Sequence, residues 1–156
     1  MFSELRRAWR YRRKVRRAGL RILRKERWPL TSIRYPTPNT WAEEWYAGTL
    51  YSAFASPHYA SLVGVTPSPY TYWHQSLRGI DHPRPDWWIT TMEQRLHALS
   101  DSIATGYRCQ CVADRIAVFP DGALWDGGHR LACLAYHGHL TVPVLVVARR
   151  TSCGRK

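Results

Sequence analysis

Two adjacent glycines, Gly127 and Gly128, separate a short apolar segment from a segment with helical periodicity, and no other feature limits the fold as strongly. Glycine at such a junction lets the backbone turn sharply from a strand into a helix. The elements that the pattern predicts around the pair are strands at 115–119 and 123–125, a turn at 120–122, a helix at 129–136 and a strand at 142–147. This order of elements predicts an α/β (α+β) domain.

A longer helix is predicted upstream, over residues 87–105. Asp86 follows two prolines and can cap this helix, and Gly106 follows its end. Its apolar residues recur with a helical period. The residues that we expect to find buried on this helix and on the later elements are Leu96, Leu99, Ile103, Leu131, Leu134, Val144 and Val146.

Several motifs of residues 103–147 occur in a fixed order. They are the helix end at 102–106, the box Asp126-Gly127-Gly128-His129-Arg130, the single Gly138 and the strand start Thr141-Val142-Pro143-Val144. In this order they resemble the nucleotide-binding core of the ParB/sulfiredoxin superfamily, in its Asp-Gly-x-His-Arg variant. The resemblance implies a ParB/sulfiredoxin-like mixed sheet with packed helices, preceded here by a basic N-terminal helix.

The glycine pair also has the character of a phosphate loop. Free N–H groups at the start of a helix favour an anion, and the guanidinium of Arg130 is a planar fork suited to phosphate. The resemblance implies that a nucleoside triphosphate contacts Gly127, Gly128, His129 and Arg130. Two positions depart from the ParB box, because Gly128 and His129 stand where it has an acidic residue and an arginine.

Asp126 precedes the glycines and has two interpretations. It can hold the loop by accepting hydrogen bonds from backbone N–H groups, or it can be the catalytic base of a small phosphotransferase with Mg²⁺ bridging the phosphates. Sulfinic acid reduction is not expected, because Gly128 stands where sulfiredoxins carry their catalytic cysteine. Only nine residues follow Val147, so we do not expect the helix-turn-helix domain of partition proteins either.

The positive charge is concentrated at the N-terminus. Residues 1–27 contain twelve basic and two acidic side chains, a net +10 of the total +12, and residues 28–156 contain eleven and nine, a net +2. We predict an amphipathic helix over 3–26 and interpret 1–27 as an arm that binds nucleic acid. The residues expected to contact the polymer are Arg6, Arg7, Arg10, Arg13, Lys14 and Arg17.

Two alternatives remain open for this arm. Its apolar stripe can pack on the body of the protein and leave the charges as a solvated face. Phe2, Leu5 and Trp9 can also insert into an anionic membrane surface while the arginines contact lipid phosphates. If the arm lies outside the core, a chain without residues 1–27 is expected to fold.

The rest of the chain divides into a Pro- and aromatic-rich wrap at 28–85, the core at 86–148 and a basic tail at 149–156. The wrap is expected to contain one short helix, from Thr40 to Phe54, and an extended loop at 66–73. Its role would be to cover the domain.

Cysteine spacing gives no metal signature. The chain has no CxxC pair, and Cys109 and Cys111 are interpreted as two half-buried thiols, so no metal site is predicted. No run of 18 apolar residues and no signal peptide are found, and free thiols suit a reducing compartment. These features predict a cytoplasmic protein without a transmembrane segment.

Three functions follow from the sequence. The favoured one is a nucleotide-binding module that engages nucleic acid through its basic arm. The second is a small NTP-dependent phosphotransferase or hydrolase that acts on a metabolite. The third is a structural or adaptor protein that keeps the fold without catalysis.

Overall fold

The computed structural model of the chain describes residues 2–35, 51–66, 68–72 and 84–150. In these ranges a mixed four-stranded sheet has helices packed on both faces, which confirms the predicted α+β fold class. The helices are α1 (Phe2–Arg17), α2 (Pro57–Leu62), α3 (Pro69–Tyr72), α4 (Asp86–Ala104) and α5 (Gly128–Tyr136). The strands are β1 (Leu20–Pro29), β2 (Arg34–Tyr35), β3 (Tyr51–Ser52), β4 (Ile116–Val118), β5 (Leu124–Asp126) and β6 (Thr141–Arg149).

The main sheet has the strand order β1-β6-β4-β5, and β2 and β3 form a separate pair. Strand β6 is antiparallel to β1 and parallel to β4, while β4 and β5 form an antiparallel hairpin. Helix α5 connects β5 to β6. The strand, turn, strand, helix and strand predicted between residues 115 and 147 are therefore confirmed.

Alternate residues of β4 and β6 enter two different hydrophobic clusters, as the two-residue period of a strand requires. One face of the sheet packs against α4 and α5, and the other packs against α1. Of the residues predicted to be buried, Leu99 is only half-buried. The others are buried: Leu96, Ile103, Leu131, Leu134, Val144 and Val146.

The described parts of the predicted wrap belong to this same core. Leu30, Ile33, Tyr35 and Tyr70 are buried in the cluster that contains the apolar side of α5. The wrap is therefore a structural part of the domain and not only a cover.

The prediction of one helix over residues 3–26 is wrong beyond Arg17. Gly19 adopts a left-handed backbone (φ 70°), which ends a helix readily because glycine has no Cβ. Residues Leu20–Pro29 form strand β1, which pairs with β6 along its length. The predicted boundary after residue 27 cuts through this strand, so 1–27 is not a separate arm.

Helix α1 packs on the body of the protein. Val15 is 2% exposed and lies with Leu20 and Leu145 in the second cluster. Arg7 forms an ion pair with Asp114, and the Nζ of Lys14 lies 2.8 Å from Oδ2 of Asp126. The alternative of a helix packed on the body is confirmed, but Val15, Ala8 and Tyr11 make the contact. Leu5 and Trp9, at the centre of the predicted apolar stripe, are exposed instead.

Three smaller predictions differ from the structure. Most of the helix predicted from Thr40 to Phe54 lies outside the described residues, which resume at Tyr51. From there, Tyr51–Ser52 is a strand and Ala53–Ala55 a 3-10 turn. The loop predicted at 66–73 contains the short helix α3. Of the tail at 149–156, Arg149 belongs to β6 and 151–156 lies outside the described residues.

Asp86 was predicted to cap α4. It is instead the first residue of the helix, and Pro85 occupies the capping position without a side-chain hydrogen bond.

Candidate functional site

The two glycines of the predicted phosphate loop lie at positions where the backbone and its neighbours favour glycine. Gly127 adopts φ 98°, where side chains are strained, and a Cβ there would lie 3.4 Å from the Cα of Ile116. A Cβ on Gly128 would lie 3.1 Å from Cε1 of Tyr35, whose hydroxyl donates to the Gly128 carbonyl. Glycine at 127 is therefore favoured by its backbone conformation and glycine at 128 by the approach of Tyr35, even when no ligand is bound.

His129 faces the buried side of α5. Its Nε2 lies 3.0 Å from the Tyr70 hydroxyl, and its ring centroid lies 4.8 Å from that of His58. Burial lowers the pKa of His129 to about 4, because the charged imidazolium is poorly solvated there. At neutral pH the ring is uncharged, so it offers no positive charge to a phosphate.

Arg130 holds a backbone turn. Its Nη1 donates to the carbonyls of Ala113 and Arg115, at 3.2 and 3.4 Å. No carboxylate of the described residues forms an ion pair with it. The guanidinium thus fixes the 3-10 turn Val112–Asp114 beside the sheet.

Asp126 does not hold the glycine loop in the way that was predicted. Within the described ranges its carboxylate accepts from Lys14 of α1, not from the backbone N–H groups of the loop. The hydroxyl of Tyr11 also lies nearby, and its pKa is raised by burial and by the negative charge of Asp126. Asp126 therefore joins α1 to the end of β5.

The side chains of the predicted nucleotide box diverge. Asp126 contacts α1, His129 contacts Tyr70 and His58, and Arg130 contacts the carbonyls of residues 113 and 115. The described contacts do not bring them to one concave spot. Nucleotide binding by Gly127, Gly128, His129 and Arg130 stays a prediction, as does a catalytic role for Asp126.

A polar network on α4 was not predicted from the sequence. Glu93 accepts from the hydroxyls of Ser61 and Ser68, both at 2.6 Å, and Nε2 of His97 lies 3.3 Å from the Ser61 hydroxyl. Burial raises the pKa of Glu93, but these hydrogen bonds and His97 outweigh it and lower the pKa overall. The spacing of Glu93 and His97, four residues apart on one helix, was the available signal. Since Glu93 accepts from two separate hydroxyls, the network joins residues 61–68 to α4.

The cysteines form no metal centre in the part of the chain that the structure describes. Cys109 and Cys111 are half-buried free thiols, and Cys133 is buried. Burial raises the pKa of Cys133 to about 12, so the thiol is protonated and acts as a core side chain. In the same described ranges, no helix combines the length and the apolar character that crossing a bilayer requires.

The outer surface of α1 carries a dense positive charge. All eight of its arginines and lysines are exposed, and Arg7 and Lys14 are the two that form ion pairs with described carboxylates. We call the arginines spaced along the exposed side the outer stripe: Arg6, Arg10, Arg13 and Arg17. Of the predicted nucleic-acid contacts, the structure thus assigns Arg7 and Lys14 to intramolecular pairs and leaves these four facing solvent.

No family model, curated protein or solved structure matches the chain. The resemblance to the ParB/sulfiredoxin superfamily therefore stays a prediction from its motifs.

Proposed function

We propose that the protein binds nucleic acid through the phosphate backbone, using the outer stripe of α1. The observation that carries this proposal is a row of four exposed arginines without a carboxylate partner in the described ranges. Their spacing of four, three and four residues keeps them on one side of the helix. A row of guanidinium groups is matched by a row of phosphates, which a polynucleotide supplies.

The docking of α1 supports the proposal. Val15 and two ion pairs hold the helix on the sheet before any ligand arrives. Binding then does not have to order a flexible segment, so less binding free energy is lost. The stripe consists of arginines and lacks the Asn and Gln that pair with adenine, so direct recognition of base edges is limited to guanine and low sequence preference is expected.

The test compares two variants that lose equal charge. Arg10→Gln/Arg17→Gln removes two arginines of the stripe, and Arg95→Gln/Arg108→Gln removes two exposed arginines elsewhere. The slope of log K against log[salt] for duplex DNA should become less steep by about 2 in the stripe variant, because each phosphate contact contributes about 0.9. The control variant should bind as the unmodified protein does.

Fluorescence anisotropy with labelled DNA and RNA measures these affinities, and anionic vesicles serve as the competing partner. Equal affinity of both variants would refute the role of the stripe. Binding to vesicles with none to DNA or RNA would assign α1 to a membrane surface.

A further inference from the structure

Besides the outer stripe, the protein has a second basic site. It is a cavity of about 630 Å³ between helix α1 and strand β1. Its apolar floor consists of Val15, Leu20, Ile22 and Val112. Its rim is lined by basic residues from α1, from β1 and from the position after β6, namely Arg12, Arg16, Arg21, Lys25 and Arg150. Of these, Arg21 pairs with Ala148 and lies between Leu20 and Ile22, so its side chain points to the opposite face of the sheet. We call it the cationic groove. No carboxylate of the described residues lines it.

A β-bulge places Lys25 on the groove side of the sheet. The register of β1 against β6 shifts between Ile22 and Arg24, so Lys25 pairs with Leu145. Leu145 belongs to the cluster that α1 covers, and Lys25 therefore lies on the α1 side of the sheet. Glu26 pairs with Val144, which belongs to the opposite face. The bulge thus directs the lysine toward the groove and the glutamate away from it.

An exposed tryptophan adjoins the groove. Trp9 is 60% exposed and lines a smaller cavity of about 300 Å³ together with Arg12, Arg13 and Arg16. Arg12 and Arg16 line both cavities, so the two lie next to each other along α1. The guanidinium carbon of Arg13 lies 5.4 Å from the Trp9 ring centroid. An aromatic ring beside a guanidinium is a suitable stacking surface for a flat base.

We infer that the cationic groove binds single-stranded nucleic acid, with its phosphates between Arg12 and Lys25 and an unpaired base on Trp9. This inference rests on the proposed function and adds a preference for single strands. A groove with charge on both walls contacts one phosphodiester chain from two sides. The bases of a duplex are stacked inside it and do not reach an exposed ring, whereas those of a single strand do.

The first experiment tests the base on Trp9. Trp9→Phe keeps an aromatic ring, and Trp9→Leu keeps an apolar side chain without one. For single strands of about 12 nucleotides, Trp9→Leu should lower the affinity by roughly 5- to 100-fold, while Trp9→Phe stays near the unmodified protein. Both should bind a duplex of equal length unchanged. If the two variants bind single strands equally well, no base stacks on Trp9.

The second experiment tests the groove itself. Arg12→Gln/Lys25→Gln removes two groove charges, and Arg10→Gln/Arg17→Gln removes two from the outer stripe. The groove variant should lose affinity for single strands and keep its affinity for duplexes, whereas the stripe variant should lose affinity for both. Circular dichroism checks that these exposed substitutions leave the fold intact.

The outcomes separate the two proposals. If the stripe variant binds weakly and the groove variant binds single strands normally, the groove inference fails and the proposed function stands. If the unmodified protein binds neither single strands nor duplexes, the proposed function fails and the groove inference fails with it. Trp9→Leu also distinguishes a membrane, because leucine would maintain vesicle binding.

Discussion

Burial keeps the imidazole of His129 neutral, and this makes the stability of the protein depend on pH. The unfolded ring takes up a proton below its ordinary pKa of 6.5, whereas the folded ring does so only at about 4. The unfolded state therefore binds more protons between these values, and stability falls as the pH drops from 6.5 to 4. At about 1.4 kcal/mol per pKa unit, the loss from this residue is about 3 kcal/mol.

His129→Gln provides the comparison, because glutamine still offers the Tyr70 hydroxyl a partner and does not titrate. We expect the free energy of unfolding, measured in urea at pH 7 and pH 4, to fall about 3 kcal/mol less in this variant than in the unmodified protein. Parallel pH profiles would show that the His129 ring is already solvated in the folded protein.

The residues of the predicted nucleotide box also show what the sequence could not predict. The glycine pair correctly predicted a sharp passage from β5 into α5. Its close contact comes from Tyr35, 93 residues away from Gly128 in the sequence. A local pattern of glycines before a helix has the same form whether a phosphate or a tyrosine approaches it. Only the folded structure shows which of the two groups lies against the glycines.

At the scale of elements, the strand β1 was missed for two physical reasons. It is an edge strand, so its outward side chains are charged in the way that edge strands commonly are. Its bulge also changes which face the residues point to, so Ile22 packs toward α1 while Trp28 packs on the opposite face. Neither a two-residue nor a helical period continues through such a segment. The helix before it was predicted correctly as far as Arg17.

The docking of α1 leads to a prediction about two positions on the same helix. Val15 is 2% exposed and Leu5 is 63% exposed. Val15→Asp should lower the free energy of unfolding by about 3 kcal/mol, because a carboxylate would be buried without a partner. Leu5→Asp introduces the same charge at the surface and should change the stability by less than about 0.5 kcal/mol.

Urea unfolding followed by circular dichroism measures both variants. Equal stabilities for Val15→Asp and Leu5→Asp would mean that α1 detaches from the sheet in solution. The helix would then be an arm, as the charge distribution first indicated.

At the scale of the whole molecule, segments that the sequence divided into an arm, a wrap and a core share one sheet and its two clusters. The first cluster contains buried residues of the wrap and of the core, from Leu30 to Val146. The second contains Val15 and Leu20 together with buried residues of the core such as Leu145. Charge and composition change abruptly along the chain, but hydrophobic contacts cross those boundaries. The composition of a segment indicates which side chains face solvent. Here it did not indicate which side chains of the arm and the wrap are buried. The core at 115–147 was predicted well because its elements are consecutive in the sequence.

A single core predicts that β1 unfolds together with β6. The two strands pair from Leu20 with Arg149 to Pro29 with Thr141, so opening β1 exposes the edge of β6 and the second cluster. In native-state hydrogen exchange with increasing denaturant, the bonded amides of both strands should converge on one opening free energy, within about 1 kcal/mol. Removal of residues 1–27 should accordingly leave an aggregating chain, because it deletes most of β1. Exchange of β1 at a clearly lower free energy than β6 would instead identify residues 2–29 as a unit that opens independently of the body.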